Sequence, residues 1–330
     1  MHTQIQNIVQ IKLPHFPEFR KLEINDRQIL QAYFDEIQPE ISDQNFANLF
    51  LWRNFYDIRI TGLDQNICLY CASPSTPERE FFFQPFGDEK ILETIGTCLN
   101  FLKAQDKRPI IRRASEKFVK DYLNDQAHFL VEKDKDSSDY VYLAENLIRL
   151  QGRRYDGHRN HIKRFKKNYA SSSTEFIDSS NISECLELKN EWLLIKCQRL
   201  SQNSKLSSEE KTYEESFMKA EASAVEDALL NWEQLGLTGL AVRIDGQVRA
   251  FSIGEKLNKE TALVHIEKAD HKYRGSSQFI NQAFCEQAWA DCKFINRMED
   301  LGIEGLRKAK LALGPHHLAE KYNITYCESA

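Results

Sequence analysis

One order of elements, strand, two helices, three strands, helix, strand, helix, strand, can be read twice along these 330 residues, and few architectures accommodate such a repeat. The clearer copy lies in the second half. There a strand is predicted over Thr174 to Asp178, with helices over Ile182 to Leu200 and Tyr213 to Trp232, where Tyr213, Phe217, Ala220 and Ala224 recur at helical spacing. Leu240, Val242 and Ile244 alternate up to Asp245-Gly246, a pair suited to a tight turn, and Val248 to Ile253 return as a hairpin. A third strand over Ala262 to Lys268, a helix over Ser277 to Cys292, a strand at Phe294, a helix over Gly302 to Leu313 and a strand near Tyr322 to Cys327 complete it.

The first half repeats this order without recognisable identity. A strand is expected over Ile8 to Leu13, then helices over Arg27 to Ile37 and Phe46 to Tyr56. A hairpin joins Ile58 to Ile60 with Ile67 to Cys71 across Asp64-Gln65-Asn66, and Phe81 to Phe83 is the third strand. A helix over Asp88 to Leu102, a strand at Ile110-Ile111, a helix over Glu116 to Leu123 and a strand over Phe129 to Glu132 follow. The length also fits two domains, divided here as 1–150 and 151–330.

Composition removes several function classes. The longest apolar runs, Cys68 to Ala72 and Tyr140 to Ala144, are far short of the roughly twenty residues of a membrane helix. Gln4, Gln6, Asn7 and Gln10 interrupt the N-terminal apolar residues, so a secretory signal is not expected and a cytoplasmic location is. The eight cysteines are then expected to be reduced core residues, and Cys68 and Cys71 of the C-x-x-C face opposite sides of a strand. No zinc spacing, Walker loop or nucleophile elbow is present. The net charge of −5 conceals a local excess: five arginines and three lysines stand against one aspartate between Arg149 and Lys167.

The element order resembles the GNAT (general N-acetyltransferase) fold, and two copies resemble the tandem arrangement of Fem-type and aminoacyl-phosphatidylglycerol transferases. Four segments carry a closer resemblance to the phosphatidylglycerol lysyltransferase C-terminal domain family: Asn48 to Trp52, Gly157 to Phe165, His265 to Asp270 and Asn296 to Arg307. The resemblance implies an α+β (mixed α/β) fold of two tandem GNAT-like domains, each a mixed central sheet flanked by helices. It also implies acyl or aminoacyl transfer, with acyl-CoA or aminoacyl-tRNA as donor.

Alternation along the third strand of the second half places His265 and Glu267 on one face. Such a pair can work as acid and base, and GNAT enzymes often place an acidic base on this strand; an ordinary cross-strand ion pair fits the same residues. The following loop, with Arg274, Gly275, Ser276 and Ser277 at the start of a helix, offers backbone N–H groups and a guanidinium to a phosphate of the donor, or else is a capped helix start. GNAT loops usually carry more small residues after the basic one. The matching first-half loop, Pro85-Phe86-Gly87, has no cation, so the first domain is expected to lack a cofactor site. Glu299 and Asp300 are candidates for holding an amino group and Arg307 and Lys310, three apart on one helix side, for an anionic substrate group; Leu306, Ala309 and Leu313 are read as the packed stripe. Asp300 as a helix cap is the structural alternative.

The basic segment reads as a helix over Tyr155 to Tyr169, and Arg154 just before it with Arg159, Lys163, Arg164 and Lys167 on it can follow a polyanion such as tRNA or serve only as a solvated face. Two readings therefore leave the sequence. In one, an acyl or aminoacyl group moves to an amine or hydroxyl acceptor, a small molecule or a lipid. In the other, the fold is a non-catalytic module that binds a small molecule or partner.

Overall fold

The computed structural model describes residues 13–72, 80–124 and 126–327. The expected strand over Ile8 to Leu13 lies, apart from Leu13, outside the described residues. The chain is mixed α/β and divides into two units. The first comprises Met1–Asp139, Glu299–Gly302 and Leu318–Ala330, and the second Tyr140–Met298 and Ile303–His317.

The first unit opens with β1 (Arg20–Lys21), α1 (Arg27–Ile37) and α2 (Phe46–Tyr56). Asn45 caps α2 by accepting from the Asn48 amide at 2.8 Å, and Asp57 ends it in the left-handed region. The strands β2 (Ile58–Leu63), β3 (Asn66–Cys71) and β4 (Phe81–Phe83) follow, then α3 (Ile91–Lys103), β5 (Ile111–Ser115), α4 (Glu116–Tyr122) and β6 (Phe129–Leu143). Pairing runs antiparallel from β1 through β4, parallel from β4 to β5, and antiparallel from β5 to the C-terminal strand β12 (His317–Tyr326). The β2–β3 turn is tighter than expected. Leu63 pairs with Asn66, and the buried Asn66 amide donates to Glu89 O at 2.6 Å and Thr94 Oγ1 at 2.9 Å. Cys68, Phe82, Ile95, Cys98, Leu99 and Ile324 lie in this unit's core.

The second unit repeats the order. It contains α5 (Ala144–Arg149), α6 (Asp156–Asn168), β7 (Ser173–Phe176), α7 (Ile182–Gln202) and α8 (Ser208–Leu230), the last opened by a Ser207/Glu210 capping box. A single turn, α9 (Trp232–Leu235), leads to β8 (Thr238–Ile244), β9 (Gln247–Lys256), β10 (Thr261–Ala269), α10 (Ser276–Ala288), β11 (Phe294–Asn296) and α11 (Glu304–Ala312). The Asp245-Gly246 turn has both residues at positive φ, as its sequence predicts. β7 to β10 are antiparallel, β10 and β11 are parallel, and β11 pairs antiparallel with the last residues of β6.

The division differs from a cut after residue 150. β6 runs on to Leu143, where it meets Phe294, and the unpredicted α5 packs on α10, with Gln282 donating to Ile148 O at 2.7 Å. Leu147 and Leu150 consequently enter the second unit's core with Phe165, Val264, Ile280 and Phe284. The C-terminal strand belongs to the first unit because its hydrogen-bonding edge is satisfied by β5.

Candidate functional site

The parallel pair β10–β11 is short: pairing ends at Leu263 with Asn296, and β10 continues to Ala269 paired with β9 on its other edge. Polar groups collect where the two strands part, the kind of position where α/β sheets expose binding groups. Arg297, directly after β11, donates to Glu267 Oε2 at 3.1 Å, and Asn281 of α10 donates to the same oxygen at 3.1 Å. Burial pulls the Arg297 guanidinium down, but Glu267 and its other neighbours hold it above its ordinary value. Close by on α6, His158 is pushed down by burial, then by His161 and Arg297.

The expectation that His265 and Glu267 share a face does not hold. A bulge between Val264 and Ile266 breaks the alternation. Glu267 meets Asn281 of α10, on the side where Val264 joins the core with Ile280 and Phe284. His265 turns the other way. Its Nε2 lies 2.9 Å from Oε1 of Glu255, the residue across from Leu263, and its side chain is 1% exposed. The buried Nδ1 has no hydrogen-bond partner among the described residues. Glu255 therefore replaces Glu267 as the partner of His265. Sequence reasoning missed Glu255, Asn281 and Arg297, because only the strand register and the bulge bring them to these contacts.

In the loop before α10, Arg274 is exposed, and Gly275 itself is the N-cap, at φ +93°. A Cβ there would lie 2.6 Å from the His161 carbonyl oxygen, so the glycine lets the loop backbone lie against α6. Ser276 is buried and donates to Asp270 O at 3.2 Å; Ser277 is half-buried in the first turn. The first-unit counterpart is filled by its own chain: Phe86 bridges to Ile67, and a Cβ on Gly87 would collide with Asn66 Oδ1 at 2.2 Å.

The four residues proposed around Asn296 to Arg307 separate. Glu299 and Asp300 fall in the first unit, Arg307 and Lys310 in the second. Glu299 joins a buried charge cluster. Lys321, fully buried, lies 2.7 Å from Asp139, 2.5 Å from Asp43 and 3.6 Å from Glu299, while Arg113 reaches Asp43 at 2.7 Å and the Tyr56 hydroxyl at 3.1 Å. Burial pushes the Glu299 carboxyl up, against the pull of Lys321 and Arg113. The amine facing Glu299 is thus the protein's own. Asp300 does not cap α11; it is buried and accepts from the Gly302 amide at 2.8 Å, holding the turn before the helix. Lys310 donates to the Arg297 and Met298 carbonyls at 2.5 and 2.9 Å, and Arg307 is half-buried. The expected packed stripe is reduced to Leu313, since Leu306 and Ala309 are exposed.

The basic helix forms close to its predicted limits, but its charges differ in use. Arg159 donates to Leu150 O and Gly152 O and pairs with Asp156, and Arg154 packs over Gly314. Lys163, Arg164 and Lys167 are exposed while Ile162 and Phe165 are buried.

A solved protein of unknown function from Bacteroides thetaiotaomicron is similar over 94% of this chain and 99% of its own, with 28% identity and a TM-score of 0.78. L-PGS from Bacillus licheniformis shares the fold at 13% identity and a TM-score of 0.58, over 94% of both chains. No curated protein matches the sequence. The family described as phosphatidylglycerol lysyltransferase, C-terminal, matches residues 34–325, and the chain belongs to that family.

Proposed function

We propose that the second unit transfers an acyl or aminoacyl group to an amine or hydroxyl acceptor at the opening between β10 and β11. The observation that carries this reading is the His265–Glu255 contact of 2.9 Å together with the unpartnered Nδ1. With Nε2–H given to the Glu255 carboxylate, Nδ1 holds the lone pair. That is the arrangement of a base and its orienting group. His265 takes the acceptor's proton as the acceptor attacks the donor carbonyl, the carbonyl's bond to the donor sulfur or ribose oxygen breaks, and the protonated His265 returns the proton to the departing thiolate or ribose oxygen. No covalent nucleophile is needed, because positioning and proton removal suffice for attack on an activated ester or thioester.

Aminoacyl-tRNA as donor draws support from the family, which is named for a lysyltransferase, and from the exposed cations of α6. Acyl-coenzyme A draws support from the fold, with Arg274 and the start of α10 facing the phosphates. A gel shift with aminoacylated tRNA, beside a thermal-shift series with acyl-coenzyme A, separates the donors. Silence with both overturns the proposal. With the active donor, His265→Ala lowers kcat by about 10²- to 10⁴-fold while the fold persists. A non-catalytic binding module is the second reading, favoured by the packing role of Gly275, and turnover that survives His265→Ala and Glu267→Gln moves the chemistry elsewhere. No helix among the described residues is long and apolar enough to cross a membrane.

A further inference from the structure

A second feature of the same unit lies away from the Glu267–Arg297 pair. Between α7 and the end of β10 is a cavity of about 300 Å³, lined by Leu188, Trp192, Ile195 and Ala269 and edged by charged side chains. Its two carboxylates are already engaged: Glu191 pairs with Arg249 at 3.3 Å, and Asp270 accepts from the Lys272 amide at 2.9 Å. The three rim cations have no carboxylate partner among the described residues, although Lys196 also lies 5.8 Å from the Trp192 ring centroid. Lys196, Arg199 and Lys272 are exposed and form no ion pair among the described residues. The Trp192 wall is fixed from below, because the buried Lys268 ammonium sits 3.6 Å from its ring centroid and pairs with Glu221.

We propose that this cavity binds a small amphiphilic anion, an apolar body carrying one phosphate or carboxylate. The volume stands at the low end for ligand sites, which suits a single ring or short aliphatic body, and the excess of positive charge at the rim selects an anionic head. Arg199 and Lys272 come from α7 and from the turn after β10, so an anion between them bridges two elements. The site does not depend on the transfer reading, and binding tests it without turnover.

The probes are phenyl phosphate, benzoate, inorganic phosphate and benzyl alcohol, titrated against the full chain by calorimetry and by tryptophan fluorescence, with Trp192→Phe to assign the signal. Saturable binding of phenyl phosphate or benzoate is expected, weakening with salt, and the stronger of the two identifies the head group. Arg199→Ala and Lys272→Ala each weaken it about tenfold, while Lys308→Ala, on α11 and outside the cavity lining, leaves it unchanged. Inorganic phosphate and benzyl alcohol each bind more weakly than the combined molecule. Absence of saturable binding, equal affinity for benzyl alcohol, or wild-type affinity in both the Arg199 and Lys272 variants overturns the proposal.

Discussion

The two units share an order of elements and differ in how they treat charge. In the first, β4 stops at Phe83, and the cations Arg113 and Lys321 are buried against Asp43, Asp139 and Glu299. In the second, the equivalent strand β10 is longer, bulged and parted from β11 beyond Leu263, with Glu267 and Arg297 half-buried and a buried ring nitrogen of His265 that has no hydrogen-bond partner among the described residues. One scaffold can thus be closed by internal ion pairs or kept open for a ligand. Removing one member of a sealed cluster strands the buried charges it balanced, whereas a half-buried pair at an opening costs little to remove and is free to act on something else.

The largest effect tests this contrast directly. Lys321→Met leaves three carboxylates around an apolar side chain and should destabilise the protein by about 3–5 kcal/mol, read as a fall in the denaturant midpoint. Glu267→Gln should cost about 1 kcal/mol or less. Equal losses would mean that both clusters are structural, and the contrast fails.

The next effect concerns glycine. Gly275→Ala meets both a positive φ and the His161 carbonyl, and should cost about 1–3 kcal/mol by thermal unfolding. Gly157→Ala, on the same packed helix but with open space around its Cβ, should stabilise by about 0.5–1 kcal/mol. If Gly275→Ala is neutral, the loop is not pressed on α6 and is available to a ligand, which sharpens the donor-site reading.

The smallest effect is a pH dependence. His158 is held below its ordinary value, chiefly by burial, so the unfolded chain protonates first as the pH falls. Its contribution is present above about pH 6.5 and is lost as pH falls through that value toward the lowered folded one. Melting temperatures compared at about pH 7.5 and pH 5 should show His158→Gln with the shallower fall. An unchanged slope would place the titration elsewhere.

Much of this was legible in the residues. Apolar periodicity located α1 and α2 at the limits observed, and Asp245-Gly246 announced its turn. The short α5 escaped because six residues present too little periodicity to distinguish a helix from a strand continuation. The bulge at His265 was equally hidden, since alternation assumes an unbroken strand and an extra residue reverses every face beyond it. Among the candidate residues, Glu267 does meet a polar network, though with Arg297 and Asn281 rather than with His265. Lys310 and Arg159 carry the charge that made them candidates but spend it on backbone carbonyls.

By itself the sequence determined the doubled order of elements, the mixed α/β class, the basic helix and the family, because these follow from local periodicity and contiguous motifs. Only the tertiary structure decided which unit each strand completes, which carboxylate meets His265 and which charges are sealed inside. Those outcomes depend on strand register and long-range pairing, where a shift of one residue exchanges the partners of every side chain.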